Sequence, residues 1–388
     1  MIENFIAKAN GISVDPPIGD TRIIHNSATK KYFRLGIRES TFLESLDGSL
    51  SQESLEQSNC AGFNAAEVKH LVTWFRQHAL LDNGTTDGEL AQSQDAQSIL
   101  KRLLTPDLWR LNLVDPDKFL DRHISVVHAL CSRTALAIYL LIFLLPVGIL
   151  IVEPGVFSHA HIQPPATVGV LQWLLCYATI LTVIALHELA HAVTCKHFGG
   201  PVNNIGMKFL YLQPIVFCDV SGSWRFREVQ EKVLVSAAGI ILQILLSSIA
   251  ISLWFITKLE VLPYFAAVNT MIALFNLYPF AKLDGYWMLV HILNEPNLRQ
   301  TSYDELDRAV KKLIGKPVTD RATRWGMLLF GLGSLLSVPV LWAAGLYWIY
   351  GLLGRFSDTV ALIAVVVFSI PLLYKFISAV GKYKKSYA

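Results

Sequence analysis

The chain has 388 residues, of which 53% are hydrophobic and only 16% are charged, and its mean hydropathy is +0.43. These values exclude an ordinary soluble globular protein and indicate an integral membrane protein. The formal net charge of +3 is too small to suggest binding to nucleic acid. The five cysteines have neither CxxC pairs nor regular spacing, which argues against a disulfide scaffold.

Residues 1–82 are predicted to form a small α+β domain outside the membrane. Their start lacks the basic residues, apolar run and cleavage site of a signal peptide. TRIIHN and KYFRLG predict a β-hairpin. Three helices are expected in RESTFLESLDG, SQESLEQS and NAAEVKHLVTWFRQHALLD, the last with a capping box of Asn64 and Glu67. This pattern is typical of a winged-helix-like interaction or regulatory domain. DNA binding is a weak alternative, since the last helix has no basic stripe.

The rest of the chain is predicted to contain a linker, a membrane-surface segment and a membrane domain. Residues 83–98 have almost no apolar side chains and predict a flexible linker. Residues 99–132 mix Leu and Trp with basic residues and are expected to lie along the membrane surface. Residues 133–388 contain apolar spans at roughly 133–153, 167–195, 234–257, 262–280, 326–350 and 357–379. The predicted fold class is mainly α, a polytopic membrane helical bundle of about six spans with a small N-terminal α+β domain.

The distribution of basic residues predicts the orientation in the membrane. Lys and Arg are concentrated after the second and fourth spans and in the C-terminal tail, whereas EPGVFSHAHIQPPA, after the first span, has none. By the positive-inside rule, both termini are expected in the cytoplasm.

The second span ends in the polar motif HELAH within an otherwise apolar run. On a helix, His187 and His191 lie on one face about one turn apart, so both imidazoles can reach one metal ion. Glu188 lies further round the helix and can contact a metal-bound water, which is the arrangement of zinc-activated water with a carboxylate base. A proton relay or a transporter metal site remains an alternative for ionisable residues inside a membrane.

A zinc site needs a third ligand, for which the sequence offers two candidates. His197 has the spacing found in HExxHxxGxxH proteases, but Thr194 replaces the glycine, and a continuous helix would place His197 about 15 Å from His187. Asp284 follows the fourth span and is expected on the cytoplasmic side, like the HExxH motif. An Asp-Gly pair is commonly only a turn. However, two histidines, one carboxylate and an open position form a catalytic zinc set, so Asp284 is the predicted ligand.

The two motifs together resemble a known family. HELAH on an early span, followed by a later span with Asn276-x-x-Pro279 and the LDG sequence at 283–285, resembles the site-2 protease family of intramembrane zinc metalloproteases. The resemblance implies one Zn²⁺ held by His187, His191 and Asp284, with Glu188 as general base. It also implies that Asn276 holds the substrate backbone or a developing oxyanion, and that Pro279 keeps its helix end irregular.

The resemblance extends beyond these motifs. SAAGIILQILL at 236–246 resembles the family's small-residue span, with Gln243 where the family often has Asn, a difference expected to affect helix packing more than ligation. VDPDKFLDR and LDGYWMLVHILNEPNLRQ resemble a bacterial branch with a small N-terminal domain, which implies a location in the bacterial inner membrane. Residues 20–82 are similar to winged-helix domains that bind leader peptides in ribosomal-peptide modification.

Four further residues are weaker candidates. Asp219 follows a strand-like stretch at 207–224 whose edge could pair with an unwound substrate, and it is a candidate for a place beside the site, although a turn aspartate has the same pattern. His291, seven residues after Asp284, is a candidate supporting residue or a plain amphipathic-helix histidine. His159 and His161 could bind metal but have the pattern of exposed loop residues.

The predicted function is that of a zinc-dependent intramembrane endopeptidase that acts on a peptide or membrane-protein precursor recruited by the N-terminal domain. The alternative is a non-proteolytic membrane component of a peptide-export or efflux assembly that keeps the metal site. Glu188 favours the protease, because metal binding alone does not need a base. A metal-ion transporter is disfavoured because no chain of polar residues continues across the outer halves of the spans.

Overall fold

The computed structural model describes residues 5–17, 19–27, 31–51, 54–55, 62–82, 110–156, 170–210, 213–315, 317–318, 322–354 and 357–370. The predicted linker at 83–98 and the start of the membrane-surface segment, 99–109, lie outside the described residues, as do His159 and His161. The described part is mainly helical, and its N-terminal region is a small α+β domain.

The N-terminal domain contains two small antiparallel sheets with strand orders β5-β1-β6 and β2-β3-β4. Its elements are β1 (Phe5–Lys8), β2 (Ile12–Val14), β3 (Thr21–Asn26), β4 (Lys31–Gly36), α1 (Ile37–Glu44), β5 (Asp47–Ser51), α2 (Ala65–Gln77) and β6 (Leu81–Asp82). β3 and β4 form the predicted hairpin, paired from Thr21 with Gly36 to Asn26 with Lys31.

Helix α2 shows how the sequence determines local structure in this domain. The Asn64 side chain accepts a hydrogen bond from the Glu67 N–H, and the Glu67 carboxylate accepts one from the Asn64 N–H, each at 2.9 Å. This confirms the predicted capping box. Val68, Val72 and Phe75 recur at helical spacing and are fully buried. They join α1 and the strands in one apolar core.

The helix predicted in RESTFLESLDG is shorter than expected. α1 ends at Glu44, and Asp47 begins strand β5. Gly48 has φ +86°, a backbone conformation that glycine adopts without the steric penalty of a side chain. Of the helix predicted in SQESLEQS, Ser51 belongs to β5 and residues 54–55 are helical, while the rest lies outside the described residues.

The segment before the membrane domain does not run only along a surface. Residues Arg110–Val114 form β7, which pairs with β8 (Ile205–Leu210), and β8 pairs with β9 (Gln213–Cys218). Two short helices follow β7, α3 (Asp117–Arg122) and α4 (Ile124–Leu130). The amphipathic composition of residues 99–132 concealed this strand, because its pairing partner lies far along the chain. The β8–β9 hairpin itself agrees with the predicted strand-like stretch.

Four helices of the described chain are long and apolar enough to cross a membrane: Arg133–Val152, Leu175–His197, Val229–Thr257 and Trp325–Gly351. Two shorter apolar helices, Val261–Asn276 and Asp358–Ile370, lie where the other two spans are predicted. The full helices are α5 (Arg133–Val152), α6 (Val170–His197), α7 (Val229–Thr257), α8 (Val261–Asn276), α9 (Asp284–Ile292), α10 (Leu298–Leu313), α11 (Trp325–Leu353) and α12 (Asp358–Ile370). These elements form a polytopic helical bundle.

Helix α7 occupies the centre of the bundle and contacts α5, α6, α8 and α9. The polypeptide chain bends sharply after α8, so that α9 starts beside the end of α8. A Cβ on Gly285 would lie 2.1 Å from the carbonyl oxygen of Leu277, so only glycine permits this approach. The bend brings Asp284, the first residue of α9, towards α6 and α7.

The last turn of α6 is anchored to α3. Lys196 forms ion pairs with Asp117 and Asp121, each at 2.8 Å, and Asp117 also accepts the Val202 N–H at 2.9 Å. Because Lys196 is almost fully buried, these contacts also satisfy a charge that would be costly without a partner. They fix the C-terminal end of α6, which carries the HExxH motif, relative to the sheet that follows it.

Candidate metal centre

His187 and His191 lie one turn apart on α6 and are each only 5% exposed. Their Nε2 atoms are 3.1 Å apart. The side chain of Asp284, from α9, completes the group: its Oδ2 lies 2.9 Å from Nε2 of His187 and 3.4 Å from Nε2 of His191. In the described chain, these three residues form the group whose ligand atoms lie close enough together to hold one metal ion.

The other ring nitrogens determine which atoms face the centre of this group. Nδ1 of His187 lies 3.1 Å from Oε1 of Gln243, and Nδ1 of His191 lies 2.6 Å from the carbonyl oxygen of Val235. Both partners are acceptors, so each Nδ1 carries the hydrogen and each Nε2 presents a lone pair. An acceptor behind a metal-binding histidine is the usual arrangement around such sites.

The resulting arrangement is unfavourable without a cation. Two Nε2 lone pairs face each other and the Asp284 carboxylate, and the buried Oδ2 atom has no hydrogen-bond donor in the described chain. Ligands about 2.0–2.1 Å from a tetrahedral zinc ion lie roughly 3.3 Å from one another, close to the three distances found here. The residues therefore fit Zn²⁺, and the chemistry of two imidazoles with one carboxylate is also typical of zinc.

Gly239 on α7 leaves the space that the His187 ring occupies. A Cβ at this position would lie 2.4–2.5 Å from three atoms of that ring. Any larger residue would displace the imidazole, because such contacts are far closer than van der Waals separation. The small-residue character of α7 therefore determines the position of His187 directly.

Gln243 connects the histidine to the polar interior of the bundle. Its backbone carbonyl accepts a hydrogen bond from Nδ2 of Asn269 at 2.7 Å. Nδ2 of Asn269 also donates to Oγ of Ser247 at 3.0 Å. Nδ2 of Asn276 lies 3.5 Å from Oε1 of Gln243. The sequence predicts that the difference at Gln243 affects helix packing more than ligation, whereas in the structure its side chain also contacts a candidate ligand, His187.

Glu188 lies beside the three ligand candidates and faces the β8–β9 hairpin. Its Oε2 accepts the N–H of Cys218, the last residue of β9, at 2.8 Å. This contact fixes one carboxylate oxygen, and Glu188 is absent from the set whose atoms converge on the metal position. Glu188 therefore lies next to the ligand candidates without being one of them.

The weaker candidates are dispersed around this centre. Asn276, at the end of α8, contacts the same amide oxygen as His187. The Asp219 carboxylate accepts the Ser221 N–H at 3.1 Å and an N–H of Asn203 at 3.4 Å, which are the contacts of a loop aspartate. His197 ends α6, and its Nδ1 lies 2.9 Å from Nδ1 of His128.

His291 lies on α9, two turns after Asp284. It is buried, and its ring centroid lies 4.8 Å from that of Trp224. Burial, together with the nearby charge of Lys232, lowers the pKa of His291 from 6.5 to about 4. His291 is therefore neutral near pH 7 and packs as an aromatic residue.

Three elements of the site were missed from the sequence: the Val235 carbonyl, the space at Gly239 and the Cys218 N–H. Two of them are backbone groups, which carry no signal in side-chain identity. Gly239 lies in the small-residue run of α7, whose composition indicated close packing without naming the neighbour.

Part of the chain is similar to a named bacterial protein. The protein named "Putative peptide zinc metalloprotease protein YydH" of Bacillus subtilis (strain 168) is 25% identical over 128 residues. The similarity covers 32% of the chain and spans half the length of that relative. The name agrees with a zinc metalloprotease at the level of the class and makes no statement about site-2 proteases. No protein-family profile matches the chain, and no solved structure matches it.

Proposed function

We propose that this protein is a membrane-embedded zinc metalloprotease of the site-2 type that hydrolyses a peptide bond in a peptide or membrane-protein precursor. The observation that carries the proposal is the convergence of the two Nε2 atoms of His187 and His191 on the buried Oδ2 of Asp284. The name of the relative that matches a third of the chain supports the same class of enzyme.

His187, His191 and Asp284 would hold the metal. A zinc ion with three protein ligands supplies a Lewis acid and lowers the pKa of a bound water to about 7. Gln243 and the Val235 carbonyl hold the two imidazoles with their Nε2 atoms inwards, so the ligand geometry is present before any substrate binds.

Glu188 is the proposed general base. Its Oε2 is held by the Cys218 N–H, so one carboxylate oxygen is positioned while the other remains available for a proton. A carboxylate in this role takes the proton of the attacking water and later delivers it to the leaving amine. Because it shares helix α6 with both histidines, Glu188 keeps a constant distance from the metal position.

The substrate would bind in an extended conformation beside β9. This strand is an edge of the three-stranded sheet β7-β8-β9, and it ends at Cys218, the residue bonded to Glu188. An edge strand has free backbone groups that can pair with a peptide. Such pairing also holds the peptide unwound, which exposes the amide carbonyl that hydrolysis requires. Asn276 carries a second amide N–H that can donate to that carbonyl.

The location and orientation belong to the same proposal. We infer an inner-membrane protein with both termini in the cytoplasm, since the basic residues flank the predicted cytoplasmic ends of the spans. The HExxH motif is then near the cytoplasmic surface, where water can reach it. The N-terminal domain would recruit the precursor.

The decisive experiment compares the wild-type protein with Glu188→Gln, both purified in detergent and reconstituted in lipid. Zinc is measured by mass spectrometry, and cleavage is followed with quenched-fluorophore peptides and a single-span test protein. We expect equal zinc content in the two proteins and a loss of cleavage on the order of 10²–10⁴-fold in the variant, since only proton transfer is removed.

A matched control is Glu231→Gln, a carboxylate on the first turn of α7 that is absent from the metal group. It should keep full cleavage. A Glu188→Gln protein that cleaves as fast as the wild type contradicts a protease mechanism through this residue. A non-proteolytic export or efflux component would instead keep its transport function in that variant.

A further inference from the structure

A cleft of about 490 Å³ separates the N-terminal domain from the membrane domain. One wall is formed by β3 and β4 and includes Asp20 and Arg34, and the other includes Trp224, Arg227 and Lys232 near the start of α7. This volume lies in the range of ligand-binding pockets, roughly 300–1,000 Å³. It can hold a short chain segment but not a folded domain.

Two sets of contacts hold the walls in place. The guanidinium of Arg225 donates to both carboxylate oxygens of Asp15, at 2.7 and 2.6 Å. A second guanidinium, that of Arg34, donates to Oδ1 of Asn294 at 3.0 Å. Each contact joins the N-terminal domain to the membrane domain, so the cleft is a formed feature with a defined width. A bidentate pair is the more geometrically specific of the two.

The cleft is basic, and among the described residues none of its three cations forms an ion pair with a carboxylate. Arg34, Arg227 and Lys232 line it together with a single carboxylate, Asp20. Arg34 donates to neutral oxygens of Thr21 and Asn294. Within the ranges that the structure describes, neither Arg227 nor Lys232 forms an ion pair.

Two nearby carboxylates, Glu228 and Glu231, do not line the cleft. Three cations in a half-enclosed space repel one another, and they attract a ligand that carries negative charge.

The position of the cleft connects it to the metal centre. Trp224 lines the cleft and packs edge-on against Trp287, at 6.5 Å between ring centroids, and against His291, at 4.8 Å. Both residues lie on α9, the helix that begins with Asp284. A chain segment bound in the cleft would therefore lie one aromatic layer from the helix that supplies the third metal ligand.

We propose that this cleft binds an acidic segment of the peptide substrate and so places the rest of that peptide near the metal centre. Arg and Lys side chains recognise carboxylates through charge-assisted hydrogen bonds, and the formed walls reduce the entropy lost on binding. The identity of the ligand as a peptide rests on the proposed protease function. The negative charge of the ligand follows from the cleft alone.

The test measures binding and not cleavage, so it is independent of the protease assignment. The full chain carrying Glu188→Gln, in detergent, is titrated with a fluorescent peptide of alternating Leu and Glu and with its Leu-Gln counterpart. We expect tighter binding of the Glu peptide. Adding Arg34→Gln and Lys232→Gln should weaken that binding roughly tenfold and leave the Gln peptide unchanged, since each pair lost is partly screened.

A matched control removes two positive charges elsewhere with Lys311→Gln and Lys312→Gln, at the end of α10. It should leave Glu-peptide binding unchanged. If the double variant does not fold, Arg227→Gln replaces it, because Arg227 is exposed and its substitution should not disturb the fold. This variant should weaken binding of the Glu peptide and leave binding of the Gln peptide unchanged. Charge reversal with Arg34→Glu and Lys232→Glu should shift the preference to a Leu-Lys peptide.

Three results would overturn the proposal. The first is equal affinity of the protein for the Glu and Gln peptides. The second is an equal loss of affinity in the α10 control, which would indicate a general charge effect. The third concerns the cleft variants. If they lose binding to phosphatidylglycerol vesicles but bind the peptides unchanged, the cleft is a lipid-headgroup site. A protein that binds the Glu peptide as expected but never cleaves would reject the protease function and keep the anion site.

Discussion

The N-terminal domain and the membrane bundle are organised in opposite ways. The core of the N-terminal domain is apolar, with Ile24, Phe42, Leu43 and Phe75 fully buried. The interior of the bundle is polar along α6, α7 and α8, where the buried side chains include His187, His191, Gln243, Ser247 and Asn269. The outer face of α5 shows the reverse, with exposed apolar residues such as Leu140, Leu141 and Ile151.

The difference is the one expected when water surrounds the N-terminal domain and lipid surrounds the bundle. In water, burial of apolar surface drives folding, so the N-terminal core consists mainly of apolar side chains. Its buried polar side chains, Asn26 and Ser40, each donate a hydrogen bond to a backbone carbonyl. In lipid, exposing the apolar face of a helix carries no free-energy penalty, and helices associate through close packing and interhelical hydrogen bonds. Polar residues inside the bundle are therefore stabilised by one another, and the metal centre belongs to that network.

The largest expected effect is the loss of zinc affinity when a ligand candidate is removed from the polar interior of the bundle. Asp284→Ala removes the only carboxylate of the metal group and leaves two imidazoles with an open side. We expect zinc affinity to fall by more than about a hundredfold, since even residues that only support a ligand contribute tenfold to hundredfold. Zinc content after dialysis against a chelator measures this.

Asp219→Ala is the control for Asp284→Ala, because among the described residues its carboxylate accepts hydrogen bonds from Asn203 and Ser221 and is absent from the metal group. It should keep its zinc. Unchanged zinc in Asp284→Ala would remove Asp284 from the ligand set and leave the two histidines without a third partner.

A cavity in the apolar core should destabilise the N-terminal domain without changing the zinc content of the protein. Phe75→Ala removes a fully buried ring that stacks near Phe42, with 6.3 Å between centroids. We expect a loss of about 3–5 kcal/mol in the free energy of unfolding of the N-terminal domain, with zinc content unchanged. Limited proteolysis of the full chain reports the opening of this domain, and Arg76→Ala, at an exposed neighbouring position, is the control. Wild-type resistance to protease in Phe75→Ala would show that the ring does not support the core.

Acid should weaken the packing around α9. The pKa of His291 is lowered to about 4 in the folded protein by burial and by the charge of Lys232, so between about pH 6.5 and 4 the unfolded chain binds a proton that the folded protein does not. Stability is then complete above pH 6.5 and falls as the pH decreases, by roughly 3 kcal/mol at most. Melting temperatures across this range measure the effect, and His291→Phe should flatten the slope. An identical slope in the variant would assign the acid sensitivity to another group.

The smallest expected effect comes from a residue that supports a ligand. Gln243→Leu removes the acceptor that holds Nδ1 of His187, and we expect zinc affinity to fall about tenfold to hundredfold. Gln243→Glu keeps an acceptor and should restore affinity, whereas a purely structural role would make both variants equally weak. Ser248→Ala, on the same helix, is the control, since its hydroxyl donates to the Ile244 carbonyl within the helix and is not bonded to either histidine in the described structure.

Prediction from sequence succeeded where neighbours along the chain determine the structure. The capping box of Asn64 and Glu67, the β3–β4 hairpin and the long apolar helices all follow from local pattern. It failed for β7, because this short strand pairs with β8, whose residues lie 91 to 98 positions further along the chain. The same limit applies to Gln243, whose contact with His187 spans 56 positions.

The sequence by itself determined that the chain is rich in apolar helices, and it identified the three residues that converge at the candidate metal centre. Composition indicates a membrane protein, and the spacing of HELAH places two imidazoles on one helical face, because both properties are local. The tertiary structure gave the distances at which Asp284, the predicted carboxylate, meets those imidazoles. It alone decided which acceptors orient them and that a basic cleft opens beside Trp224. These features depend on where α7 and α9 pack against α6, and such packing is a sum of many weak contacts between residues distant in the chain.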